Sequence, residues 1–257
     1  MHTITAKISS PKRTIKTYEW SIPSSTQELT AKNLRQIARI VSQPSGDPIE
    51  QKMEALIRIG RITRPDLLNG AQVMQLLALL DFLDDANIKM DKPIIKWIGI
   101  FKAPRRLLQK FSGNQMALCD TILQAIQQQN DTPSALLADF CAANTTLLGG
   151  MWRNFIAEYL AKPFFRYFVR RSTKLALLIQ YRAMRRIFPE KYENAFSNDG
   201  TAERFPSLGW PGTFVKLAGD KFGNPKMVKQ TPAHDLFTYL EQVRRDEIRM
   251  ASQNRMK

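Results

Sequence analysis

The stretch FFRYFVRRSTKLALLIQYRAMRRIF, residues 164–188, decides the fold class. At about 100° per residue on a helix, Phe165, Phe168, Ala176, Ile179, Ala183 and Ile187 share one arc, which predicts a face turned to a core. Arg171, Lys174, Arg182, Arg185 and Arg186 fall within about 120° beside it, which predicts a basic stripe. Pro163 is placed to start this helix, and residues 151–161 read as a second helical stretch before it.

Working outward, the same periodicity recurs. A sequence Ser25-Thr26-Gln27-Glu28 has the form of a capping box, followed by Leu29, Leu34, Ile37, Ile40 and Val41 at helical spacing. Asp47-Pro48 restarts a helix with Ile49, Met53, Leu56, Ile57 and Gly60 on its face. Residues 70–83 are apolar almost all round, which predicts a helix central to the core. Further helices are expected at 113–129, 133–143, 213–220 and 234–250. Strand signals are confined to residues 3–8 and 14–20, rich in β-branched and aromatic side chains around a turn at 9–12, and to an extended segment at 93–101. The expected fold is mainly α, a helical domain with a small N-terminal β-hairpin. Residues 1–131 and 132–257 form two regions or one continuous domain. Their boundary falls at 132–150, where charge vanishes and small residues accumulate.

Charge is the second signal. Among 257 residues, 38 Lys and Arg face 23 Asp and Glu, a net charge of +15. Residues 1–60 hold nine basic and five acidic side chains, whereas residues 151–188 hold nine basic side chains and one acid, Glu158. More than half of the net charge therefore sits in that one segment. With 44% hydrophobic residues the chain is too apolar to be disordered throughout. Its longest uncharged stretches, 67–80 and 140–152, fall short of the roughly 18 residues of a membrane-spanning helix. Residues 1–16 lack the apolar core of a signal peptide. Cys119 and Cys141 read as reduced core thiols, and the chain as a cytoplasmic protein.

Chemistry-bearing motifs are sparse. His2 and His234 stand in no zinc-like spacing, and the glycines at 209–223 lack the lysine and hydroxyl that end a phosphate loop. A Cys119–His234 pair reads as packing, and Asp81, Asp84 and Asp85 as a solvated acidic helix end. Neither an enzyme nor a cofactor or metal site is expected. What remains is the basic segment: Arg170, Arg171, Lys174, Tyr181, Arg182, Arg185 and Arg186, with Tyr181 as the one aromatic expected to be exposed there. Three readings stay open for it: a solvated face, a docking surface for an acidic protein, or a nucleic-acid contact. Like charges at these spacings cost a few tenths of a kcal/mol per pair, which an acidic surface or phosphate chain would offset. Asp81, Asp84 and Asp85 are an internal candidate for that surface. A membrane-surface role for residues 164–171 is disfavoured, because the aromatics there are expected in the core.

Three segments carry a resemblance. Gly209-Trp210-Pro211, then Phe214-Val215-Lys216-Leu217-Ala218 and Gly219-Asp220-Lys221-Phe222-Gly223, lead into Leu236-Phe237-Thr238-Tyr239-Leu240. Residues 76–83 precede the proline-started segment 93–101, and Phe111-Ser112-Gly113-Asn114-Gln115-Met116 opens a helix. This layout resembles tail-module proteins of phages and prophages from Bacteroides-like bacteria, among them tail assembly chaperones. The resemblance implies a non-catalytic tail assembly or structural protein that binds other tail proteins, such as the tape-measure chain. It implies a place in the bacterial host cytoplasm or the virion. The strong positive charge departs from that pattern. The alternative from a different class is a nucleic-acid-binding protein acting through residues 151–188.

Overall fold

The structure, a computed structural model, describes residues 1–9, 15–42, 47–81, 88–104, 108, 111–129, 133–147, 155–196, 209–219 and 222–255. Strands β1 (His2–Ser9) and β2 (Ile15–Ile22) pair antiparallel from His2↔Ile22 to Ser9↔Ile15, the expected hairpin; its turn lies outside the described residues. Trp20 and Ile22 point into the core.

The Ser25–Glu28 capping box does not form. The Glu28 carboxylate is taken by the terminal ammonium of Met1 and by the Ser24 backbone N–H at 2.8 Å, which leaves only a short 3-10 turn, Thr26–Glu28. Helix α1 (Ala31–Val41) starts later, where the Thr30 hydroxyl accepts from the Asn33 N–H. Helix α2 (Pro48–Gly60) begins as expected, with Asp47 Oδ1 accepting from the Ile49 N–H at 3.0 Å. Helix α3 (Gly70–Ala78) is not central: Leu76 and Leu77 are buried, but Met74 is 64% exposed. It lies against α2, and its other flank, with Gln72, Met74 and Gln75, is exposed.

The 93–101 segment is mostly irregular. Buried Gln180 explains this, since its side chain accepts from the Ile95 N–H at 2.8 Å and donates to the Ile95 carbonyl at 3.2 Å. A side chain thus replaces a neighbouring strand as the backbone's partner. Only β3 (Trp97–Ile98) and β4 (Phe101–Lys102) are extended, and β5 (Thr146–Leu147) joins them in the order β3-β4-β5. Between β3 and β4, Gly99 adopts φ +58°, and a Cβ there would stand 3.0 Å from the Phe164 ring.

Helices α4 (Gly113–Gln127) and α5 (Ser134–Ala143) follow, then α6 (Phe155–Pro163). The expected continuous helix over 164–188 is broken. Phe164–Phe168 form a π-helical turn, Val169 and Arg170 are extended, and only α7 (Arg171–Arg185) is regular. Pro163, expected to start a helix, closes α6 instead. The π turn seats Phe164 and Phe165 against Phe101, at ring distances of 4.9 and 5.3 Å. Beyond the break, α7 is the central helix: nine of its fifteen residues are buried, and it packs on α1 and α5.

The chain ends in α8 (Phe188–Lys191), α9 (Glu193–Phe196), α10 (Gly209–Leu217), α11 (Pro225–Gln230) and α12 (Ala233–Arg255). Phe214, Leu217, Val228 and Leu236 form a small core of their own. It closes on the start of α4, where Gly113 leaves no room for a Cβ, with Leu236 Cδ1 at 2.8 Å. The larger core runs from Trp20 to Phe237 and draws on residues from both sides of 132–150. The fold is mainly α with an N-terminal β-hairpin. No helix among the described residues is long and apolar enough to cross a membrane.

Candidate functional site

The expected basic stripe does not exist as one surface, because α7 is buried on most sides. Tyr181, expected to be exposed, is 0% exposed. Its ring meets Phe140 edge-on at 5.4 Å, and its hydroxyl donates to Asp120 Oδ1 at 2.7 Å. Burial pushes this phenol well above its ordinary range, and the negative charge of Asp120 pushes the same way. Asp120 Oδ2 also accepts from Trp210 Nε1 at 3.1 Å and lies 3.5 Å from Arg185 Nε. The Arg185 guanidinium covers the rings of Phe188 and Phe237 at 5.4 and 5.7 Å. The acidic partner of this end of α7 is therefore internal, and it is Asp120. Asp81 pairs with Lys52 at 2.8 Å, and Asp84 and Asp85 lie outside the described residues. Arg182 and Arg186 are half-buried in the last turn of α7 and just past it.

Lys174 is also withdrawn from the surface, at 2% exposed. Its stem packs within the core while Nζ donates to the Ser134 hydroxyl at 3.0 Å. Burial lowers its pKa from the ordinary lysine value.

Arg170 and Arg171 alone of the seven candidates are fully on the outside. Arg170 is the N-cap of α7, a residue whose side chain cannot accept the helix's free N–H groups. It helps to line a cleft of about 420 Å³ between α1, α2 and the start of α7. Lys32, Arg35 and Arg39 of α1 and Arg58 of α2 complete the cationic wall. The remaining lining is neutral: Gln36, Ser172 and Thr173. Among the described residues no acidic side chain lines it. Glu54, one turn earlier on α2, pairs with Arg58 at 2.5 Å.

The local sequence builds this wall directly. In AKNLRQIARIV, Lys32, Arg35 and Arg39 stand at i, i+3 and i+7, on the face opposite buried Leu34, Ile37, Ala38 and Ile40. The helix contains three cations and no acid. Its signal was present in the sequence but diluted in the balance of residues 1–60, where five acids offset much of it.

A second exposed feature was also unexpected. Phe168, assigned above to the core arc, is 79% exposed, and Tyr167 beside it 73%. The helix break is the reason: the arc computed from Phe165 does not continue through a π turn. Tyr159 and Leu160 on α6 are exposed as well. The 159–168 segment thus exposes these four side chains interleaved with the cations Lys162 and Arg166, the latter 5.7 Å from the Tyr167 ring.

The two cysteines are committed to packing. Cys119 and Cys141 are free and buried, and burial pushes both thiols well up. The His234 ring meets Lys191 at 3.0 Å, Thr238 at 3.2 Å and the Tyr192 ring at 5.8 Å, and no contact with Cys119 is present. Among the described residues no three His, Cys, Asp or Glu side chains are grouped to hold a metal. No protein-family model, no curated protein and no solved structure matches the chain.

Proposed function

We propose that the protein is a non-catalytic phage or prophage tail assembly or structural protein that binds other tail proteins, working in the host cytoplasm during assembly. The observation that carries this reading is the exposure of Tyr159, Leu160, Tyr167 and Phe168 on α6 and the π turn. Aromatic side chains left outside a core this rich in buried phenylalanines suit a partner's apolar surface. The placement of the tail-like C-terminal segments in one small packed module, α10 to α12, supports it further.

The test is a search of the gene neighbourhood for a tape-measure protein, whose absence overturns the reading, followed by co-expression with it. The expected outcome is a soluble complex on size exclusion, lost in Tyr167→Ser/Phe168→Ser while the melting temperature stays within about 2 °C, as for ordinary surface substitutions. A tape-measure chain that stays insoluble with the wild-type protein overturns the reading.

A further inference from the structure

We propose that the cleft between α1, α2 and the start of α7 binds the phosphodiester backbone of a nucleic acid. This goes beyond the tail-protein reading and does not depend on it, since it uses different residues. Five cations, Lys32, Arg35, Arg39, Arg58 and Arg170, converge from three helices on one concavity. Sequence separation of more than a hundred residues between Arg35 and Arg170 means that the fold itself assembles them.

Their chemistry selects the ligand. Four of the five are arginines, whose planar forks match phosphate oxygens two at a time. The hydroxyls of Ser172 and Thr173 and the amide of Gln36 add neutral hydrogen-bonding groups between the charges. Among the described residues, Arg58 is the one cation of the lining paired with a carboxylate, Glu54 of its own helix. A lone inorganic phosphate would leave most of five charges unmatched. Carboxylates on a folded surface repel one another and are seldom packed to that density. A phosphate chain carries one charge per nucleotide at fixed spacing and fills such a groove step by step. The protein's +15 charge would draw such a chain from a distance.

The experiment is fluorescence anisotropy with a labelled single strand of roughly 16 nucleotides and the matching duplex, across a salt series. Five phosphate contacts give a log–log slope of about −4.5 on duplex or −3.5 on single strand. Arg35→Glu/Arg39→Glu should weaken binding at least about 10-fold and flatten the duplex slope by about 2. The matched control is Lys226→Glu/Lys229→Glu in α11, which removes the same charge from two exposed lysines elsewhere. It should weaken binding less than about 3-fold. Arg35→Gln/Arg39→Gln repeats the test with no acid introduced, and Tyr167→Ser/Phe168→Ser should bind the oligonucleotide as wild type does. Equal losses in the cleft and control variants would assign binding to diffuse charge and overturn the proposal. So would poly-glutamate competing as well as the oligonucleotide at equal charge, which would give the cleft to an acidic protein.

Discussion

The two ends of α7 carry arginines of the same kind in opposite settings. At the C-terminal end Arg185 lies against Asp120 and two aromatic rings, inside the protein's own interactions. At the N-terminal end Arg170 joins four cations of α1 and α2 around an open cleft that no acid among the described residues lines. The Arg185 charge is met within the fold, whereas the cleft gathers five cations and, among the described residues, no acid. A count of basic residues along 151–188 cannot separate these cases. The partner of one end, Asp120, is about 65 residues away in sequence, and the allies of the other are over 110 away.

The largest effect that could break this comparison comes from Asp120→Ala. The substitution leaves the Tyr181 hydroxyl buried without its carboxylate, and frees Trp210 Nε1–H and the Arg185 charge beside it. Losing hydrogen bonds to a charged acceptor in such a site costs about 3 kcal/mol. For a chain of this size that corresponds to a fall of roughly 6–12 °C in melting temperature. A fall under about 2 °C would mean that the C-terminal arginines are not held from within, and the contrast between the two ends would disappear.

A smaller effect sharpens the comparison at the middle of α7. Lys174 is a buried cation with a lowered pKa. Lys174→Met keeps the stem's volume, removes the desolvated charge and loses the bond to Ser134, for a net gain of up to about 1 kcal/mol at neutral pH. The pH dependence fixes the cause. Because the folded pKa lies below the ordinary value of 10.5, the unfolded chain binds more protons between those two values. Wild-type stability attributable to this group therefore rises with pH across that window. The advantage of Lys174→Met should be greatest near pH 7 and shrink as pH approaches 10.5. Melting curves of both proteins at several pH values test it, and a pH-independent difference would point to packing alone.

Much of the fold was legible because its signals are local. The hairpin follows from β-branched alternation, the start of α2 from Asp47-Pro48, and α4 and α5 from apolar periodicity. The failures share one cause, which is that tertiary partners overrode local preference. Glu28 looked like a capping residue until the chain's own terminus claimed it. Residues 93–101 looked like a strand because nothing nearby announces that Gln180, 85 residues on, supplies their hydrogen bonds. Phe168 came to the surface because the π turn breaks the helical phase, and Tyr181 went to the core because α7 is packed on most sides. The cleft was half legible: Lys32, Arg35 and Arg39 share one helix face in sequence, but only packing of α1 on α7 brings Arg170 to them.

The smallest effect is the most discriminating, because its sign differs between the ends. Arg35 has Lys32 three residues before it and Arg39 four after it on the same exposed face, with Arg58 and Arg170 across the cleft. Arg35→Gln keeps helix propensity nearly constant and removes these like-charge contacts, each worth a few tenths of a kcal/mol at the surface. The variant should be more stable than wild type by about 0.5 kcal/mol at low salt, and the gain should fade as screening shortens the reach of charge. Arg185→Gln makes the same chemical change at the other end and should destabilise, since it withdraws a cation from Asp120 and from the rings of Phe188 and Phe237. Paired melting curves at low and high salt read both signs in one series. If Arg35→Gln also destabilises, the α1 cations are held by contacts within the fold, as Arg185 is. The cleft would then be a structural feature, with no surplus charge waiting for a ligand.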